Sequence, residues 1–163
     1  MNEHTENIDN ICATLDKLTI DSLILMQEEI ELKLIAENAM IGGETHLAKS
    51  RYILGQNNVS SIQLPTENSP EFRALTTIDL SIDEFGLHQF SLESKKPDNE
   101  NYINPIKWFG YLTPQNLSFA QNLYRQALQW IIQAANIQCK LKETCKQINQ
   151  LKQIKYIINK ENK

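Results

Sequence analysis

The apolar positions fall into two long stretches with helical spacing, separated by a centre where the spacing changes. In the C-terminal stretch, steps alternating between four and three residues pick out Leu123, Ala127, Trp130, Ala134, Ile137, Leu141, Thr144, Ile148, Leu151, Lys155 and Ile158. Only Thr144 and Lys155 interrupt the apolar character, and neither Gly nor Pro follows Pro114. A 3.5-residue period kept for five heptads predicts a coiled-coil helix rather than a globular stripe. Thr113-Pro114 opens it, since Thr can cap through its hydroxyl and Pro is tolerated where no helical donor is needed. Trp130 between small Ala127 and Ala134 reads as a knob against a narrow facing surface. A second stripe, Leu117, Tyr124, Leu128 and Ile131, covers only the first half, so that half can be buried on two sides.

The N-terminal stretch predicts a helix from about Ile8 to Met40. Ile8, Ile11, Leu15 and Leu18 keep the heptad; the seam then moves to Leu23, Met26, Ile30 and Leu34. That jump of five predicts disturbed supercoil winding. Ile41-Gly42-Gly43 reads as the helix end, because glycine relieves a left-handed cap. Glu44 to Gly55 then predicts a separate short helix, with Leu47, Arg51 and Leu54 on one face and Gly55 as its stop. Arg51 is expected to be solvated and Tyr52 half-buried, although both can hydrogen-bond from a packed position.

In the centre, residues 56–71 read as a loop. Ile78, Leu80 and Ile82 alternate with polar residues, as do His88, Phe90 and Leu92, with Glu84-Phe85-Gly86 between them, the pattern of a small β-hairpin. Ser94 to Asn101 reads as a flexible linker. Residues 104–114, NPIKWFGYLTP, hold the densest aromatic cluster of the chain. Asn104-Pro105 favours a tight turn, and Gly110 permits a backbone conformation closed to other residues. The cluster has two readings: a hydrophobic plug at the base of a helical hairpin, the role expected of Phe109, or an exposed anchor for another protein. The fold expected is mainly α: an elongated antiparallel coiled-coil hairpin with a loop-rich centre and room for a small β-hairpin. It divides into an acidic N-terminal helix (1–43), a short helix and loop (44–64), a variable polar segment (65–103), and the aromatic turn with the long basic helix (104–163).

Charge sharpens this picture. The net charge is −4, but residues 1–46 carry −8, residues 47–113 carry −2 and residues 114–163 carry +6. Helices of opposite charge attract when folded back on one another, which sets orientation more than stability because exposed ion pairs are worth about 0–1 kcal/mol each. An acidic chain whose basic tail lacks interleaved aromatics argues against nucleic-acid binding. Few Gly, Pro and aromatic residues argue against a sandwich, barrel or compact α/β enzyme. The apolar run Leu23 to Met26 is far too short to span a bilayer. The first ten residues are polar and acidic, without the pattern of a secretory signal, and neither terminus carries a lipidation motif. Membrane association is therefore expected to be indirect.

Groups that could converge for catalysis are scarce. There is no phosphate-cradling or dinucleotide motif, and His4, His46 and His88 lie far apart. Cys139 and Cys145 are six residues apart on one helix, and Cys12 makes an odd count, which suits small core residues better than a zinc site or disulfide framework. No enzyme activity and no cofactor is expected. The residues singled out as structural or partner-interface positions are Arg51, Tyr52, Pro105, Trp108, Phe109, Gly110, Pro114, Trp130, Ile137, Leu141, Ile148 and Leu151.

Two segments go beyond periodicity. LAKSRYILG (Leu47 to Gly55) followed by VSSIQLP, and NPIKWFGYLTPQNLSFAQNLYRQAL (Asn104 to Leu128), resemble the two hallmark segments of the coiled-coil, non-membrane assembly factors of the vacuolar-type proton ATPase. Pro105, Ile106, Phe109, Gly110, Leu112, Pro114, Leu117, Ala120 and Gln121 match the second hallmark, while Asn104 stands where that family has Asp. The resemblance implies an assembly chaperone held at the cytosolic face of the endoplasmic reticulum by a membrane-spanning partner assembly factor. It also implies association with the membrane sector of the ATPase, including its a subunit, during assembly. The rival class is a structural coiled-coil tether or vesicle-trafficking adaptor that self-associates through Ile137 to Ile158.

Overall fold

The computed structural model describes residues 2–55, 57–84, 86–97 and 101–161, with side chains throughout except at 2–7 and 161. Phe85 of the expected hairpin turn and residues 98–100 of the expected linker lie outside the described residues. Two helices dominate, α1 (Asn2–Leu54) and α2 (Gln115–Glu161), with β1 (Thr76–Ile82) and β2 (His88–Ser94) between them. The helices are antiparallel: Cys12 and Asp16 of α1 influence Lys155 near the end of α2, whereas His46 near the end of α1 bonds Asn116 at the start of α2. The expected helical hairpin with a small β-hairpin is what the chain forms.

All eleven positions of the seam expected in α2, from Leu123 to Ile158, are buried or half-buried. Ala127, Ala134 and Ile148 are the most enclosed of them. The acidic helix does lie alongside the basic one, but the attraction acts at longer range than a contact pair. Among the described residues, the close ion pairs on the helices are internal, Lys33 with Glu29 at 2.6 Å and Lys146 with Glu143 at 3.6 Å. Lys155 is held protonated to higher pH than usual by hydrogen bonding to Cys12, with Asp16 adding to the effect.

Two expectations for α1 fail, for one reason. The helix does not end at Gly42-Gly43 but runs through to Leu54, so Glu44 to Leu54 is its last part and not a separate helix. The seam does not jump either. Ile8, Ile11, Leu15, Leu18, Ser22, Leu25, Glu29, Leu32, Ala36, Ala39, Gly43, His46 and Ser50 form an unbroken three-four series of buried or half-buried positions. Leu23, Met26, Ile30 and Leu34 point outward. Small residues carry the inner face where large ones were expected. A Cβ on Gly42 would lie 3.2 Å from Leu123 Cδ1, and one on Gly43 would lie 3.0 Å from the Tyr124 ring. These glycines are therefore contact surface for α2, although each costs a helix interior about 0.5–1 kcal/mol relative to Ala. Ser22 and Ser50 return their hydroxyls to α1's own carbonyls, Thr19 and His46, so their burial leaves no donor unpaired.

Strands β1 and β2 pair antiparallel with Ile78 opposite Leu92, Leu80 opposite Phe90 and Ile82 opposite His88, the alternation expected from sequence. The Asn136 side chain of α2 clamps this hairpin. It accepts from Phe90 N at 2.8 Å and donates to Phe90 O at 2.9 Å, standing in for the next strand. The ends of the expected flexible linker are tied down: Lys95 N donates to Leu75 O and Arg73 N to Asn101 O, each at 2.8 Å.

Candidate interaction surface

The two hallmark segments, far apart in sequence, meet at the end of the hairpin where α1 finishes and α2 begins. Ala48, Lys49, Tyr52 and Ile53 of the first line a shallow cleft with Asn116 of the second. The residues just ahead of the first hallmark, Gly43 and His46, close the junction through three contacts. Gly43 receives the Tyr124 ring. His46 Nδ1 and Asn116 Oδ1 are hydrogen-bonded at 2.9 Å. The His46 ring also packs on Phe119 at 5.4 Å between centroids. Burial, reinforced by the charge of Glu44, pushes the Tyr124 phenol above its usual pKa. Leu117 and Ala120, two matches to the second hallmark, are buried here.

The first hallmark folds back on itself. Gly55 at φ +87° ends α1, and Asn58 Nδ2 donates to Leu54 O at 2.6 Å. Arg51 Nε donates to Val59 O at 3.1 Å, and Val59 is among the most deeply buried side chains. Ser60 and Gln63 then close a capping box on the short 3₁₀ turn Ser61–Gln63. Arg51 is thus surface-exposed, as expected, but structurally engaged. Tyr52 is not half-buried; it is 92% exposed.

The second hallmark begins with a 3₁₀ helix, Pro105–Phe109. Asn104 Oδ1 accepts from Ile106 N at 3.3 Å and from Gln121 Nε2 at 2.9 Å, so one side chain both caps the turn and ties it to α2. A carboxylate would accept both bonds, so Asn and Asp are equivalent in this geometry. We expect Asn104→Ala to cost about 1–2 kcal/mol and Asn104→Asp to stay near wild type, measured by chemical denaturation. Equal losses in both would refute the capping role. Gly110 sits at φ +105°, the conformation foreseen for it.

The aromatic cluster divides between its two readings. Trp108 and Phe109 are half-buried, with Trp108 edge-on to Phe72 at 5.2 Å between centroids. Tyr111 and Leu112 just beyond are almost entirely exposed. Pro105 and Pro114 are half-buried, and Pro114 O accepts from Leu117 N in the first turn of α2. Trp130, Ile137, Leu141, Ile148 and Leu151 lie in the seam with α1 rather than at this end. Sequence reading missed Asn136, His46 with Asn116, and the contact glycines. The one available signal was an Asn between Ala135 and Ile137 in an apolar stretch of helix. Among the described residues no group of three or more His, Cys, Asp or Glu side chains could hold a metal. Among those residues, too, no helix is long and apolar enough to cross a membrane.

No family model matches the chain. It is similar to curated proteins named vacuolar ATPase assembly protein VMA22. With that of Bos taurus it is 28% identical over 149 residues, covering 77% of this chain and 83% of the relative. With that of Homo sapiens it is 29% identical over 154 residues, covering 77% and 86%. With that of Danio rerio it is 25% identical over 175 residues, covering 78% and 85%. The similarity thus extends beyond the two hallmark segments: over most of its length the chain is similar to proteins named as vacuolar ATPase assembly proteins.

Proposed function

We propose that this protein is a non-catalytic assembly factor of the vacuolar-type proton ATPase. It acts at the cytosolic face of the endoplasmic reticulum with a membrane-spanning partner assembly factor. Its client is the membrane sector of the ATPase, including the a subunit, which it shields until assembly is complete. The observation that carries this reading is the similarity to named assembly proteins over more than three quarters of the chain. The meeting of both hallmark segments at one end, with Tyr52, Tyr111 and Leu112 exposed beside it, supports a partner surface there. Covering an unfinished interface by mass action would stabilise the incomplete complex against aggregation and premature docking.

Co-purification from detergent-solubilised membranes tests the proposal. The full chain should recover a membrane-spanning protein together with ATPase membrane-sector subunits. Tyr111→Asp combined with Leu112→Asp should weaken that recovery at least tenfold while leaving the melting temperature unchanged, because both side chains are exposed. Recovery of homo-oligomers held through Ile137 to Ile158, without ATPase subunits, would instead establish the coiled-coil tether.

A further inference from the structure

The outward face of α1 carries an apolar stripe that the hairpin does not use. Ile20, Leu23, Ile30, Leu34 and Ile41 recur in three-four steps interrupted only by Gln27 and Glu37, on the side opposite Ser22, Leu25, Ala36 and Gly43. Each of the five is more than half exposed; Ile30, at the middle, is 59% exposed. The stripe is about 31 Å long, and its positions share the heptad register of the inner seam. A helix that is apolar on two opposite faces is built to be covered on both.

The charges around the stripe say what chemistry covers it. Asp16, Glu37 and Glu44 lie in line with it, and Glu28 and Glu31 run along one flank, all exposed. On the same stretch Lys17 is an exposed base, whereas Lys33 is engaged with Glu29 at 2.6 Å. The rim is therefore acidic. A second copy of α1 would set acid against acid. The exposed members of the equivalent outer line on α2 are apolar only at Leu128 and Tyr156 and polar at Arg125, Lys142, Lys146, Asn149 and Gln153, so that line offers no continuous matching stripe. An anionic membrane surface would be repelled. We infer that this face docks an amphipathic helix of another protein, apolar along one side and flanked by Lys or Arg, packed against α1 to make a third strand of the coiled coil. This goes beyond the proposed function and does not rest on it, since it concerns α1 away from the hallmark end.

Two designed helical peptides of three heptads, with the same Leu/Ile seam but Lys or Glu flanks, test the inference against the full chain by fluorescence anisotropy. The Lys-flanked peptide should bind at least tenfold tighter than the Glu-flanked one, with the gap narrowing as salt rises. Ile30→Ser combined with Leu34→Ser should abolish most of that binding, tenfold or more, with an unchanged melting temperature. This variant keeps every charge, so loss of binding separates docking on the stripe from attraction between a basic peptide and an acidic protein. Equal binding of the two peptides, or full binding by the Ser variant, overturns the inference. So does a dimer in sedimentation that the Ser substitutions dissolve, or capture by protein-free anionic vesicles through the same residues. Failure of the co-purification above would leave these results untouched.

Discussion

Gly43→Leu should lower the stability of the chain by about 1–3 kcal/mol, despite leucine being the better helix former by nearly 1 kcal/mol. A Cβ at this position already stands 3.0 Å from the Tyr124 ring, so a full side chain must push α1 and α2 apart near the hallmark end. In a chain of 163 residues that corresponds to a fall of roughly 3–10 °C in melting temperature. The mechanism has a signature in the partner: Tyr124→Ala should recover part of the loss when combined with Gly43→Leu, although alone it destabilises by opening a cavity. A double-mutant cycle by thermal unfolding measures this coupling, expected at about 0.5–3 kcal/mol. Strict additivity would mean that the glycine serves only its own helix.

The contrast between Ile148→Ala and Ile30→Ala should be larger still. Ile148 is 8% exposed in the seam of α2, so removing three carbons should cost about 2–4 kcal/mol in transfer and cavity terms. Ile30 looks out to solvent, and its truncation should stay within about 0.5 kcal/mol. The heptad read from large apolar residues alone put Ile30 in the seam and would make both substitutions costly. Urea titration of the two variants decides between the registers.

Both experiments probe the point where sequence and structure part. The long α2 helix was legible because its inner face is made of residues whose size announces it: Leu123, Trp130, Ile137, Leu141 and Leu151 stand at heptad spacing, and the second stripe stops at Ile131. The β-hairpin was legible because alternation over Ile78 to Ile82 and His88 to Leu92 admits one pleat. Gly110 was legible because its turn needs a backbone that other residues resist. The hallmark segments could be read as segments, but their meeting could not, since it depends on where an antiparallel partner brings residue 46 against residue 116.

For α1 the amino-acid sequence determined a long acidic helix over about Ile8 to Met40 and one line of large apolar positions, read as a single seam with a jump. It did not determine which face turns inward. The large side chains at Leu23, Ile30 and Leu34 favour burial more strongly per residue than Ser22, Ala36 and Gly43 do. Yet α2 brings its own bulk, Leu123 and Tyr124 among it, and two bulky faces cannot approach closely. Close packing rewards a small surface against a large one, and that preference exists only once both helices are in place. The tertiary structure therefore put the small face inside, carried the helix through two glycines, and left the stronger hydrophobic stripe facing out.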